Sequence, residues 1–231
     1  MKHLIVTEDV SSLGIAEYDR IILDTTTNEI VYMNGVTYEY VDLGLPSGLK
    51  WAKCNLGGKT ETDYGDFFIW GSTRPNKAYE CIWANAPFNG GYSEYNADAF
   101  ESVKDSVCPN GVLAKEYDAA SHIMGGNWRM PTEHEFQELI DNTNNEWVTI
   151  NGVSGRKYTS KTDTSKYIFF PAAGWCYNGS VNDVGRRGVV LSSTQGGYGT
   201  DIAWGLFFQS GFCYTRSYKR CEGLSVRGVR K

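Results

Sequence analysis

Short runs rich in apolar, β-branched and aromatic residues, with Gly, Pro, Asn and Asp clustered between them, constrain this chain more than any other feature. Such runs predict short β-strands. The 26 glycines of the 231-residue chain supply turn residues for the connections. We predict strands at 48–53, 66–70, 146–150, 167–172, 188–193, 202–208, 211–216 and 224–229.

Two segments depart from this pattern and predict helices. Over 113–123, apolar residues recur at helical spacing. The second helix begins after Thr132, whose side chain can cap the helix while Glu135 completes a capping box. Polar residues at 142–145 end it. Two helices among many short strands, with long irregular connections, predict the α+β class.

The first 38 residues have a pattern of their own. Apolar runs at 20–24 and 29–33 flank a polar Thr-Thr-Thr-Asn segment, which predicts a β-hairpin extension, and Asn34-Gly35 predicts another turn. So small a hairpin is marginally stable alone. We therefore expect residues 1–38 to attach or oligomerise the protein, for example as a homotrimer. Residues 39–231 are expected to form one domain.

Charge and chemistry-bearing residues argue against several classes of function. A formal net charge of −5 does not favour the clustered positive surface that binds nucleic acid. The six cysteines form no CxxC pair, and no histidine flanks them at zinc spacing, so we expect free thiols, no metal and no cofactor. His122 and His134 lack a partnered nucleophile or acid, which favours a protein that is not an enzyme.

The N-terminal segment 1–14 contains one short apolar run, at 4–6, and no signal-peptide pattern. If Met1 is the native start, we expect synthesis in a cytoplasm without export by a standard signal. No stretch of the sequence is long and apolar enough to predict insertion into a membrane.

Several motifs, in this order, resemble the major paralogous domain family of gut-type bacteria and their phages, over about residues 39–231. That family resembles the C-type-lectin-like fold in its formylglycine-generating-enzyme form. The motifs are VDLGLPSGLKW at 41–51 with Ala52, Cys54 and Asn55, DYGD at 63–66 with WG at 70–71, WRMPT at 128–132, FPAAG at 170–174, LSST at 191–194, Leu206 with Phe208, and GLSVR at 223–227.

The resemblance implies a ligand-binding function. Members of that fold include the variable proteins of diversity-generating retroelements, in which template adenines are randomised and a C-terminal stretch becomes hypervariable. Residues 192–227 resemble that variable region. The implied protein displays a diversified face that binds a protein or glycan receptor on a cell surface, for example as a phage tail adhesin. It would lie on a virion or on the bacterial surface.

The predicted binding face follows from strand alternation. Over 202–208, Trp204, Leu206 and Phe208 share one face, which we expect to be core. The opposite face, the turn-rich stretch after it and the Gly-rich loop at 195–201 are expected to be exposed. The predicted ligand-binding residues are Tyr198, Asp201, Gly205, Phe207, Gln209, Phe212, Tyr214, Arg216, Ser217, Tyr218 and Arg220.

The composition of this face suits a binding surface. Tyr, Ser, Gly and Arg give large contact areas or adaptable hydrogen bonds. Randomising both adenines of an AAC codon can yield Phe, Tyr, Arg, Ser or Gly, which covers most of the predicted residues. It cannot yield Gln or Lys or Glu, so Gln209, Lys219 and Glu222 would need other template codons.

Two alternatives stay open. The first is a fixed-specificity carbohydrate- or protein-binding surface module on the same scaffold. The second, implied by the formylglycine-generating enzymes, is a copper oxidase that would use Cys213 and Cys221, although their spacing and neighbours differ from that enzyme pattern. Arg129 and Arg227 lie between apolar residues and are predicted to be structural, with Asp42, Asp63 and Asp66 as candidate partners.

Overall fold

A computed structural model describes residues 38–197 and 199–231 in full, and the backbone of three strands before them. In chain order the strands are β1 (Leu4–Val6), β2 (Arg20–Asp24), β3 (Glu29–Met33), β4 (Tyr40–Asp42), β5 (Lys50–Ala52), β6 (Phe67–Phe68), β7 (Thr143–Ile150), β8 (Val153–Ser160), β9 (Tyr167–Pro171), β10 (Trp175–Tyr177), β11 (Ser180–Asn182), β12 (Arg187–Gln195), β13 (Ile202–Gln209), β14 (Cys213–Lys219), β15 (Leu224–Ser225) and β16 (Val229–Arg230). The helices are α1 (Ala97–Glu101), α2 (Lys104–Val107), α3 (Ala119–Met124) and α4 (Glu133–Asn142).

A five-stranded sheet in the order β14-β13-β12-β15-β6 holds the C-terminal half together. Its pairs are antiparallel except β12 with β15, which are parallel. Hydrophobic core packs against both faces of this sheet. Val189 and Leu191 of β12 pack in one apolar cluster, and Val190 between them packs in another. Each large apolar side chain buried in this way contributes about 1.5–3 kcal/mol.

Helix α4 covers one face of this sheet. Its capping box forms as predicted, with the Thr132 side chain accepting from the Glu135 N–H and the Glu135 carboxylate accepting from the Thr132 N–H. Phe136 and Leu139 are fully buried in the cluster that also contains Leu206. The chain is therefore α+β, as predicted, with helices packed on a largely antiparallel sheet.

Smaller sheets surround the central one. A meander pairs β7-β8-β9, β16 and β4 flank β5, and β10 pairs with β11. At the N-terminus the predicted strands at 20–24 and 29–33 are present as β2 and β3, and β1 pairs with β2 as a third strand. The predicted turns at 25–28 and 34–35 lie outside the described residues.

Several predicted element bounds are wrong. The helix predicted over 113–123 is instead a 3-10 turn at Lys115–Tyr117 followed by α3, because Asp118 between them is extended and caps α3 by accepting from the Ser121 N–H. Helices α1 and α2 were not predicted, since four or five residues are too few to display a helical period. Strands β8, β10 and β11 were also missed; only Asn151 and Gly152 form the turn before β8.

The predicted acidic partners of the two structural arginines are also wrong. Arg129 pairs with Glu135, its NH1 donating at 2.7 Å. Arg227 is fully buried, where burial lowers its pKa to about 9, and it has neutral acceptors instead. Its acceptors are the Asn55 side-chain oxygen and the carbonyls of Ala52, Lys53 and Phe169.

Within the parts of the chain that the structure describes, no helix combines the length and apolarity that crossing a bilayer requires. The structure assigns no disulfide bond to any of the six cysteines, all of which lie within the described residues. Cys81, Cys108, Cys176 and Cys221 are buried, while Cys54 and Cys213 are half-buried.

Candidate ligand-binding groove

A groove of about 390 Å³ lies over the hairpin formed by β13 and β14; we call it the hairpin groove. Much of its lining comes from residues that the sequence predicted to bind ligand. Its lining residues are Trp175, Arg187, Phe207, Gln209, Phe212, Tyr214, Arg216, Tyr218 and Glu222.

Strand register explains why these side chains meet. Phe207 pairs with Tyr214, and Arg216 of β14 lies opposite Gly205 of β13. Paired residues point to the same face of a sheet, so the odd positions of β13 and the even positions of β14 form one surface. The opposite surface is anchored: Leu206 is buried against α4, and the Thr215 hydroxyl donates to Glu133 at 2.8 Å.

Three aromatic rings form the apolar part of the groove. The Phe212 and Tyr214 rings are stacked with centroids 5.7 Å apart, and Phe207 lies 5.3 Å from Tyr214. Phe212 is 46% exposed and Tyr214 is 41% exposed. Exposed rings held side by side in this way offer a flat apolar platform to a partner.

Charged and polar groups border this platform. The Arg216 guanidinium lies 5.0 Å from the Tyr218 ring centroid and 5.8 Å from that of Phe207. Burial raises the pKa of the Tyr218 hydroxyl, which has no hydrogen-bond partner among the described residues. Burial also raises the pKa of the Glu222 carboxyl, against the opposing effect of Lys219 and Arg216. The groove thus presents a cation and a carboxyl beside an aromatic platform, while the Tyr218 hydroxyl itself is buried.

Three lining residues were missed by the sequence analysis. Trp175 belongs to β10, Arg187 begins β12 opposite Gln209, and Glu222 lies in the turn after β14. Arg187 is held by Asp183, whose carboxylate accepts its NH1 at 3.0 Å. The FPAAG motif at 170–174 ends directly before Trp175, but nothing in the sequence places it beside the hairpin.

The prediction that Phe207 and Tyr218 are exposed is wrong. Phe207 is 6% exposed and Tyr218 is 9% exposed, because the groove side of the sheet also packs on a core cluster. Each ring still lines the groove with its accessible edge. Trp204, predicted to be core, is only half-buried.

Ser217 and Gly205 do not line the groove. Residues 213–219 form a strand rather than a turn-rich stretch, so alternation places Ser217 on the opposite face, paired with Trp204. Gly205 is buried beneath the Tyr218 ring, and a side chain added there would meet the Val190 carbonyl. Glycine at this position leaves room for the Val190 carbonyl, while the Tyr218 ring lies at ordinary contact distance.

The sequence predicted that Arg220 is a surface residue, but this prediction is wrong. Arg220 is 1% exposed, and its Nε donates to the Thr200 carbonyl at 2.7 Å. Its guanidinium lies 3.7 Å from the Phe100 ring centroid. The half-buried Asp201 accepts the Arg220 backbone N–H at 2.8 Å, so both residues fix the 199–201 segment rather than line the groove. Tyr198 lies outside the described residues.

The two cysteines of the oxidase alternative lie in different surroundings. Cys213 packs beside the cluster that contains Leu206, and its thiol donates to Asn145 at 3.4 Å. Cys221 is buried in a separate cluster with Trp83. Among the described residues no group of three or more His, Cys, Asp or Glu side chains is arranged to hold a metal ion.

Comparison with known families gives one match. Residues 138–229 match the model of a family described as a domain of unknown function, DUF8237. The matched segment includes the β13–β14 hairpin together with Trp175, Arg187 and Glu222, so every lining residue of the hairpin groove falls within it. The comparisons with curated proteins and with solved structures found no match.

Proposed function

We propose that this chain is a ligand-binding protein that recognises a protein or glycan receptor through the hairpin groove, on a C-type-lectin-like scaffold. The observation that carries the proposal is the stacked, exposed pair Phe212 and Tyr214 beside the exposed Arg216. Aromatic and Arg side chains carry much of the energy of protein recognition. Sugar rings also stack on aromatic faces while their hydroxyls bond to polar neighbours.

A diversified face is compatible with this architecture at some positions. Phe212, Tyr214 and Arg216 are exposed, and the back of the hairpin is anchored independently by Leu206 and Thr215. Substitution at the three exposed positions would leave the core intact. We propose these as the variable positions of a retroelement-diversified receptor-binding protein, such as a phage tail adhesin.

The burial of Phe207 and Tyr218 favours a second candidate, the fixed-specificity binding module. Randomising a residue that is 6% or 9% exposed would frequently disturb the adjoining core. Sequencing codons 195–222 in sibling isolates separates the two. Differences confined to adenine-templated codons at 212, 214 and 216 support diversification, whereas an invariant segment supports fixed specificity.

Binding itself is tested by screening the full chain on a glycan array and against intact bacterial cells. The double variant Phe212→Ala with Tyr214→Ala should lose binding at least tenfold, since two hot-spot rings are removed. Val181→Ala, another exposed apolar position outside the groove, is the matched control. Circular dichroism confirms folding of both variants. Equal binding by the double variant and the control would refute the groove as the binding site.

A separate measurement addresses the oxidase alternative. Copper titration of the wild type and of Cys213→Ser would show identical behaviour if the two C-terminal cysteines do not act together. Their locations in separate clusters support that expectation.

A further inference from the structure

Two buried thiols behind the hairpin groove lie unusually close together. The Cys81 and Cys176 sulfurs are 2.7 Å apart, and both side chains are fully buried. A covalent disulfide has a sulfur–sulfur distance of about 2.05 Å, and non-bonded sulfur atoms stay farther apart than this pair does. Among the described residues, no other pair of cysteines shares a sulfur–sulfur hydrogen bond.

The backbone holds these two cysteines in place. Cys176 exchanges two backbone hydrogen bonds of 2.8 Å with Gly223, and the Cys81 carbonyl accepts from the Asn178 N–H at 3.0 Å. These bonds fix the backbone of both cysteines, so the separation of the two sulfurs depends only on the side-chain rotamer of each.

Gly223 gives the sulfurs their space. A side chain at this position would collide with both the Cys176 and the Cys81 sulfur atoms. Gly223, which has no side chain, therefore lies where the segment after β14 contacts the two sulfur atoms.

We infer that Cys81 and Cys176 form an intrachain disulfide bond when the protein folds in an oxidising environment. The oxidant is a small disulfide such as oxidised glutathione. Either cysteine can attack first; in the sequence that starts at Cys81, its thiolate attacks one sulfur of oxidised glutathione. It displaces one glutathione thiolate and forms a mixed disulfide. Cys176 then attacks the Cys81 sulfur and displaces the second glutathione.

The exchange conserves atoms and electrons. Two thiols lose two protons and two electrons, and oxidised glutathione becomes two molecules of reduced glutathione. Because both sulfurs are buried, the oxidant reaches them during folding or local opening, and a reductant is excluded from the finished bond.

The bond would brace one wall of the hairpin groove. Trp175 and Glu222, both lining residues, are chain neighbours of Cys176 and Gly223. Cys81 belongs to a distant segment, 95 residues earlier in the chain. The inferred bond does not depend on what the groove binds.

Peptide mapping tests the inference directly, because each of the six cysteines falls in a different tryptic peptide. The full chain is refolded with reduced and oxidised glutathione, alkylated in denaturant and digested without reduction. We expect one cross-linked species that joins peptide 78–104 to peptide 167–186, with the other four cysteines alkylated. Alkylation of all six, or a link from either peptide to 221–227, would overturn the inference.

Variants separate the bond from general effects of cysteine replacement. Cys221→Ser removes the third buried cysteine of the same cluster and should keep the cross-link. Cys81→Ser should abolish it and leave Cys176 alkylated. In the wild type, reduction in denaturant followed by refolding should lower Tm by roughly 10 °C, because a long cross-linked loop restricts the unfolded chain. The same treatment should leave the Tm of Cys81→Ser unchanged; an equal shift in both proteins would also contradict the inference.

Discussion

Replacing Arg227 with Met should destabilise the domain much more than the same replacement of Arg220, although both guanidinium groups are buried. Arg227 donates to four oxygen acceptors around it. Arg220 donates its Nε to one carbonyl, and its NH1 and NH2 have no partner among the described residues. The two positions therefore differ chiefly in how many acceptors lose their donor.

The expected magnitudes follow from these bonds. A hydrogen bond contributes about 1 kcal/mol net, so Arg227→Met should cost about 4 kcal/mol and Arg220→Met about 1 kcal/mol. Both changes remove a buried charge, and this effect largely cancels in the comparison. Arg220 also loses its contacts with the Phe100, Trp70 and Tyr95 rings, whereas Arg227 loses one with Phe170, which narrows the expected difference. For a chain of this length, the losses correspond to Tm decreases of about 8–16 °C and about 2–4 °C.

Urea denaturation of both variants, followed by circular dichroism and tryptophan fluorescence, measures the free energies of unfolding. If Arg227→Met is too unstable to purify, Arg227→Lys retains a donor and gives an intermediate loss. Equal losses at the two positions would refute the reasoning, because the number of acceptors deprived of a donor would then not determine the cost.

An ion pair, a glycine and a buried hydroxyl give further predictions. Burial raises the pKa of the Glu135 carboxyl, but the ion pair with Arg129 and the backbone donors outweigh burial and lower this pKa below 4.5. The stabilisation that the ionised Glu135 contributes is therefore present above pH 4.5 and is lost as the pH falls through the pKa of the folded state. Urea titrations should therefore show Glu135→Gln losing less stability than wild type on acidification. Gly205→Ala should cost about 1–3 kcal/mol by crowding a carbonyl 2.9 Å away, whereas Gly211→Ala, with open space around it, should cost far less. Tyr218→Phe should change Tm by less than about 2 °C and leave binding unchanged, since the hydroxyl is buried without a partner and is not exposed to the groove; a loss of binding of about tenfold would contradict this.

Local patterns were sufficient to predict the elements whose causes are local. The capping box of α4 involves residues three apart, and the strands β12 and β13 are apolar runs bounded by Gly-rich and polar segments. The predicted α+β class depends only on such features. Short elements such as α1 and β10 contain too few residues to establish a period, so no sequence pattern could reveal them.

The candidate groove was predictable in part, because its centre is one hairpin. Phe212, Tyr214 and Arg216 were identified from alternation and composition. The errors at Phe207 and Ser217 have different physical causes. Phe207 is buried because the sheet has core on both faces, which alternation cannot show, and Ser217 lies on the other face because residues 213–219 are a strand.

The outer wall of the groove could not be predicted, since distant segments build it. Trp175 and Arg187 meet the hairpin only through the pairing of β12 with β13 and the docking of β10 against the segment after β14. The partners of Arg227 were missed for the same reason: three are backbone carbonyls, which carry no residue-specific signal, and the fourth is the side-chain oxygen of Asn55, 172 residues away in the chain.

The two-sided packing of β13 limits how this surface can change over evolutionary time. Inserting one residue into β13 or β14 would shift the register and exchange Leu206 with Phe207, so that every side chain would move to the wrong face. The strands should therefore tolerate substitutions but not changes in length. Insertions and deletions among related sequences should concentrate in the turn at 210–212, which lies outside both paired strands.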